Sequence, residues 1–401
     1  MSFDVARVRA LYPALADGTA WLDAAAGTQT PQPVIDAIVD AYTRGIGNAH
    51  GAFAASARSD AIVAEARRAV ADLVGGDPEG VVFGPNMTTL TYRFAATLAK
   101  GWRPGDEIIV SRLDHDANVR PWVQAARAAG AVVRWAEVEV PSGELPAAQY
   151  DDLLTERTRL VAVTAASNVL GTMPDVPRIA RKAHDAGALV YVDGVHATPH
   201  TPIDITALGA DFYATSAYKW CGPHIGAVIA APVLLERLRP DKLASAPDSV
   251  PSRFETGTLP FADLAGVAAA VDHLAGLDPQ ATGPRRRRLL TSMAAVEAYE
   301  QAELAHLCEG LSAMPHVRLI GSPARRTATV YFTVDGHTPR QVAEHLATRK
   351  INVWDGHCYA WEVTGAFGIR DAGSAVRAGL VHYNDRSDAD RLLAALAELA
   401  S

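Results

Sequence analysis

Between about residue 80 and residue 230, short β-rich runs alternate with amphipathic helical stretches. This pattern confines the chain to a sheet of mainly parallel strands joined by helical crossovers. The runs lie at 81–83, 107–111, 131–138, 159–165, 188–193, 211–215 and 225–230. Most are continuously apolar, as strands covered on both faces must be. Upstream, SARSDAIVAEARRAVADLVGG repeats apolar residues at helical spacing; it predicts a helix capped by Ser56 and stopped at Gly75 and Gly76. Downstream, a long helix over 284–313 precedes RTATVYFTV, a helix over 339–348, INVWDG, VRAGLVHY and a C-terminal helix from Ser387, which together describe a second, smaller α/β unit. The acidic, Pro-rich stretch 241–260 is the longest loop-like segment, and loops of that length in compact proteins usually serve function.

Composition removes several classes. With 49% hydrophobic and 20% charged residues, the 401-residue chain can fill one large core or two moderate ones, which excludes a disordered or fibrous protein. Its 37 basic and 45 acidic residues leave a net charge of −8, no footprint for nucleic acid or an anionic membrane. The one basic cluster, Arg285 to Arg288, follows a Gly-Pro turn and reads as a solvated helix start. No 18-residue stretch stays apolar, and the N-terminus mixes Asp4, Arg7 and Arg9 into an amphipathic pattern unlike an export leader. Cys221, Cys308 and Cys358 show neither disulfide nor metal spacing, and no metal is expected. A soluble, cytoplasmic protein is the expectation.

The sharpest local chemistry is an acid that ends one buried strand and a lysine in the turn after the next, Asp193 and Lys219, 26 residues apart. Strand C-termini of an open parallel sheet converge on one edge, so both side chains can reach one site. Alone, each has an ordinary reading: the lysine a solvated turn, the acid a helix cap. Tyr218, Trp220 and Pro223 around Lys219 are unusual company for a solvated turn.

The motifs WLDAAAGTQTP, GPNMTTLTY, RLDHDANVRPW, TAASNVLGT, VYVDGVHATPH, DFYATSAYKWCGPHIGAVIA, RFETGTLP and VRAGLVHYND span nearly the whole chain. In these the chain resembles the fold-type I pyridoxal 5'-phosphate enzymes of the class V aminotransferase family, cysteine desulfurases and selenocysteine lyases above all. The resemblance implies a large cofactor-binding domain over 16–265, with a mainly parallel mixed sheet flanked by helices. Residues 1–15 and 266–401 would form a smaller α/β domain.

It also implies roles. Lys219 would join the cofactor's aldehyde and then act as base, which needs an amine with a lowered pKa. Asp193 would keep the pyridine nitrogen protonated. Met87, Thr88 and Thr89 stand where a helix N-terminus favours a phosphate, with Ser216 and Tyr218 as further phosphate ligands, although Asn86 could simply cap that helix. The family usually has His at the place of Tyr218. Thr258 resembles a threonine that reaches the phosphate of a dimer partner, implying a homodimer. His115 would stack on the ring, and Asn168 would donate to its phenolic oxygen. His196, where the desulfurases usually carry Gln, could reach the same oxygen. Arg377 would grip the carboxylate of an α-amino acid substrate.

A desulfurase also needs a thiolate that accepts sulfur. Cys358, in WDGHCYAWEV, is the candidate, but the motif places Tyr359 at the cysteine position and Cys358 one residue early. In a flexible loop that slip could still deliver a thiol, whereas on a strand it would turn the side chain to the opposite face. Cys221 and Cys308 read as packing. The expectation is a cysteine desulfurase-like enzyme yielding alanine and sulfur for an acceptor protein. Alternatives are a C–S β-lyase, epimerase or aminotransferase without a catalytic cysteine, and, more remotely, a non-catalytic scaffold.

Overall fold

The structure is a computed structural model that describes residues 3–400. The seven runs fall in one seven-stranded sheet: β1 (Val81–Gly84), β2 (Glu107–Ser111), β3 (Val132–Ala136), β4 (Thr158–Thr164), β5 (Leu189–Asp193), β6 (Phe212–Ser216) and β7 (Gly226–Ala230). Their order is β1-β7-β6-β5-β4-β2-β3; β7 is antiparallel to both neighbours and the remaining pairs are parallel. Alternate residues feed opposite cores. Ile109, Val161 and Val163 join one cluster, whereas Ile108, Val110, Leu160 and Ala162 join another. Burial on both faces is why these strands read as unbroken apolar runs.

Helices Gln32–Arg44, Ala54–Val74 and Phe261–Ala275 pack together beside this sheet. The expected domain boundary at residue 265 therefore falls inside a helix that packs with the large unit. The predicted serine cap is a correction: the helix starts at Ala54 with Phe53 as N-cap. Ser56 is buried within its first turn, where Oγ accepts from the Gly51 amide at 2.6 Å. A local side-chain bond there competes with the cap signal.

The 28-residue helix Arg285–Ser312 begins at the arginine run, but its head is not free in solvent. Arg285 pairs with Asp272 at 2.9 Å and with Glu65, and Arg286 donates to the carbonyls of Asp72 and Leu73. The second sheet is antiparallel and contains β8 (Val317–Leu319), β9 (Thr329–Val334), β10 (Trp354–Gly356) and β11 (Ala375–Gly379), ordered β10-β11-β9-β8. The N-terminal segment is stitched to this unit, with Ala20–Trp21 paired to Ile351–Asn352 and Asp23 bridged to Gly379. Among the described residues, no helix is long and apolar enough to cross a membrane.

Candidate active site

β4, β5 and β6 end at the same edge, and the following residues open onto a cavity of about 930 Å³. Asp193 is the last residue of β5, and Lys219 closes the turn after β6. The opposite wall comes from the second sheet, through Arg377 on β11 and the turn after β10. Thr258 alone among the expected site residues does not line the cavity: it is exposed on the 241–260 segment.

At one end lies the start of helix Met87–Ala99. Asn86 caps it, accepting from the Thr89 amide at 2.9 Å and the Thr89 hydroxyl at 3.1 Å. The Met87 amide donates to Ser216 Oγ at 3.0 Å, and Thr88 and Tyr218 complete this end, the Tyr218 ring stacking on His224 at 4.6 Å. The close approach depends on Gly226 in β7: a Cβ there would lie 2.3 Å from the Asn86 carbonyl carbon.

Lys219 Nζ donates to the carbonyls of Ala25 (2.6 Å) and Ala26 (2.8 Å). Burial, then the charge of Arg377, lower its pKa to about 7. Asp193 accepts from the Val195 amide at 2.9 Å; burial raises its carboxyl to about 6, the bond and Lys219 opposing. His115 accepts from the Ala117 amide through Nδ1 at 3.0 Å, and burial, helped by Lys219 and Arg377, pushes it down to about 3.

The two units are tied together directly over the cavity. Arg377 Nη1 donates to the Asn168 carbonyl at 3.0 Å, and Asn168 Nδ2 donates to the Cys358 carbonyl at 2.8 Å. Arg377 Nε and Asn168 Oδ1 are buried without partners. His196 lines the cavity, and its Nε2 is 3.1 Å from the hydroxyls of both Thr327 and Thr329. Cys358 and Tyr359 follow β10 in a turn with φ of 47° and 59°. Off the strand, alternation of faces does not apply, and both residues line the cavity. Tyr359 stacks on His115 at 5.4 Å. Burial pushes the Cys358 thiol up, with Arg377 opposing.

Sequence reasoning missed Asp23, a half-buried residue beside the cavity whose Oδ1 is buried without a partner and whose carboxyl is raised to about 6 by desolvation against the charges of Arg377 and Lys219. The WLDAAAG motif contained it without showing that Arg377 would lie nearby. It also missed the Tyr359–His115 stack, which joins residues 244 positions apart.

This architecture is that of the fold-type I pyridoxal phosphate enzymes, as the resemblance implied. The family profile described as aminotransferase class-V matches residues 20–392, and the chain belongs to that family of enzymes. It is 39% identical to an uncharacterized protein of Mycobacterium tuberculosis, with 100% of both chains covered. It is 33% identical to a cysteine desulfurase of Dickeya dadantii, over 98% of this chain and 96% of the other. The crystal structure of the cysteine desulfurase CsdA from Escherichia coli superposes with a TM-score of 0.88 at 29% identity, covering 100% of this chain and 99% of that one.

Proposed function

We propose that this chain is a pyridoxal 5'-phosphate-dependent, cysteine desulfurase-like enzyme acting on L-cysteine or a related sulfur amino acid, yielding alanine and transferable sulfur. The observation that carries the reading is that a depressed-pKa amine, a buried carboxyl, a guanidinium and a thiol (Lys219, Asp193, Arg377 and Cys358) line one cavity.

The residues fit the cofactor. A helix N-terminus with a serine beside it suits a phosphate. The unpartnered Arg377 Nε and Asn168 Oδ1 are buried polar atoms that a bound group would satisfy. The cofactor supplies an aldehyde for the amine and a ring that accepts the electron pair left at Cα.

Met87, Thr88, Thr89, Ser216 and Tyr218 would hold the cofactor's phosphate, Asp193 would hold a proton on its ring nitrogen, His115 would stack on the ring and Asn168 would donate to its phenolic oxygen. His196 lines the same cavity and could reach that oxygen only if its Nε2 gave up the two threonine hydroxyls. Arg377 would grip the substrate carboxylate, and the Lys219 amine would take the Cα proton. The Cys358 thiolate attacks the substrate sulfur: an S–S bond forms, the C–S bond breaks, and protonation of the three-carbon remainder gives alanine. The persulfide then passes to an acceptor protein.

The exposed Thr258 is available to a second copy, which supports a homodimer with shared sites. We place the enzyme in the cytoplasm, with its two units dividing after helix Phe261–Ala275 rather than at residue 265.

The raised thiol pKa favours one rival, β-elimination without Cys358. Cys358→Ser separates them. The expected result is loss of alanine formation by about 100-fold or more, the scale of removing a nucleophile; undiminished sulfide release with pyruvate would establish the lyase instead. Borohydride reduction followed by peptide mapping should label Lys219.

A further inference from the structure

Behind the cavity, four buried side chains from four distant segments meet at one hydroxyl. Tyr12 Oη lies 2.7 Å from His273 Nε2, 2.7 Å from His382 Nε2 and 3.1 Å from Cys221 Sγ. All four residues are at most 8% exposed. The thiol and the two imidazole nitrogens lie within 4.8 Å of one another, a donor set that zinc accepts. Two observations turn the geometry away from a metal. The Tyr12 hydroxyl already fills the space among them, and His382 Nδ1 has no partner, whereas a ligating histidine normally anchors its second nitrogen.

The same atoms do balance as a hydrogen-bond hub. A tyrosine hydroxyl has one proton and two lone pairs, so three partners saturate it. A proton on His382 Nδ1 would be a buried donor with no acceptor, so the proton belongs on Nε2, which donates to Tyr12. The Tyr12 proton then goes to His273 Nε2, and the Cys221 S–H takes the second lone pair.

What the hub joins matters for the chemistry. Cys221 is two residues beyond Lys219 and has a left-handed backbone, φ 70°, with its amide donating to Thr28 Oγ1 at 2.7 Å. His382 follows the strand that carries Arg377. His273 belongs to a helix of the large unit, and Tyr12 to the N-terminal segment. We propose that the Tyr12 hydroxyl and its three buried partners are a positioning device that sets the Lys219 turn of the large unit against the Arg377 strand of the small one. The functional part rests on the roles given above to Lys219 and Arg377; the mechanical part does not.

The test compares holoenzymes of wild type, Tyr12→Phe, Cys221→Ala and Cys221→Ser. Tyr12→Phe and Cys221→Ala should raise KM for the amino-acid substrate roughly tenfold with kcat changed less than about threefold, the pattern of lost ground-state alignment. Cys221→Ser, which keeps a hydroxyl donor, should restore KM. In hydrogen exchange, amides of 218–222 and 380–384 should both exchange faster in Tyr12→Phe. A lower melting temperature with unchanged KM, or faster exchange on one side alone, would overturn the proposal. So would stoichiometric zinc in chelator-washed wild type that Cys221→Ala loses. If Tyr12→Phe does not fold, the two Cys221 variants carry both measurements. If the wild type turns over no amino acid, the functional reading fails while hydrogen exchange still decides the hub.

Discussion

Keeping the Lys219 amine uncharged near neutral pH destabilises the apoprotein, and a pH series measures by how much. The amine's ordinary pKa of 10.5 falls to about 7, first because burial strips water from the ammonium and then because Arg377 repels it, while Asp193, Cys358 and Asp23 pull the other way. Above the unfolded pKa neither state carries the proton, and below the folded pKa both do. Between them the unfolded chain binds the extra proton, so stability from this group is fully present above about 10.5 and is lost as pH falls toward about 7. At about 1.36 kcal/mol per tenfold, the whole gap is worth at most about 5 kcal/mol. The amine lines an open cavity, and water there reduces the figure to roughly 2–4 kcal/mol. Lys219→Met removes the titrating group. The variant apoprotein should exceed wild type in stability by that amount near pH 7, with the advantage shrinking toward zero as pH approaches about 10.5. Urea unfolding of both apoproteins across this range gives the difference directly, and comparing the two cancels the titrations of groups that do not couple to Lys219. A difference flat with pH, or one growing as pH rises, would refute the assignment of Lys219 as a desolvated amine.

Arg377→Lys keeps the charge but loses the planar fork, so kcat/KM should fall by about 100-fold, mostly through KM, in steady-state assays with amino-acid substrate. Asp193→Asn preserves shape and removes the carboxylate; kcat should fall by about 100-fold or more while the protein still binds the cofactor in an absorbance titration. Gly226→Ala drives a methyl into the Asn86 backbone at 2.3 Å. It should cost about 1–3 kcal/mol in urea unfolding and weaken cofactor affinity, since the helix start must shift.

How much of this was legible follows from where each signal lies in the chain. β2 matched its predicted bounds, and β1, β4 and β5 lay within a residue or two of theirs, because double-sided burial writes itself as a continuous apolar run. The convergence of Asp193 and Lys219 on one cavity followed from strand polarity alone. The helix start at Ala54 was hidden because Ser56 presents the chemistry of a cap while its hydroxyl serves Gly51 inside the first turn. The Tyr12 hub was hidden for a different reason. Its members are separated by up to 370 residues, and no periodicity relates them.

The turn after β10 shows where pattern reasoning left two readings open for a physical cause. Matching the motif residue by residue put Tyr359 at the thiol's place and Cys358 one residue early, a slip that a loop tolerates and a strand does not. Two successive left-handed residues break strand alternation here. They send Cys358 into the cavity shared with Arg377 and Lys219, and Tyr359 onto His115. Because non-glycine residues adopt positive φ at a cost, two in a row persist only where surrounding contacts hold them. Here those contacts are the Asn168 amide on the Cys358 carbonyl and the Asp116 amide on the Tyr359 carbonyl, at 2.8 Å each. Since Asn168 also accepts from Arg377, the group proposed to hold substrate and the thiol proposed to attack it are positioned through one asparagine.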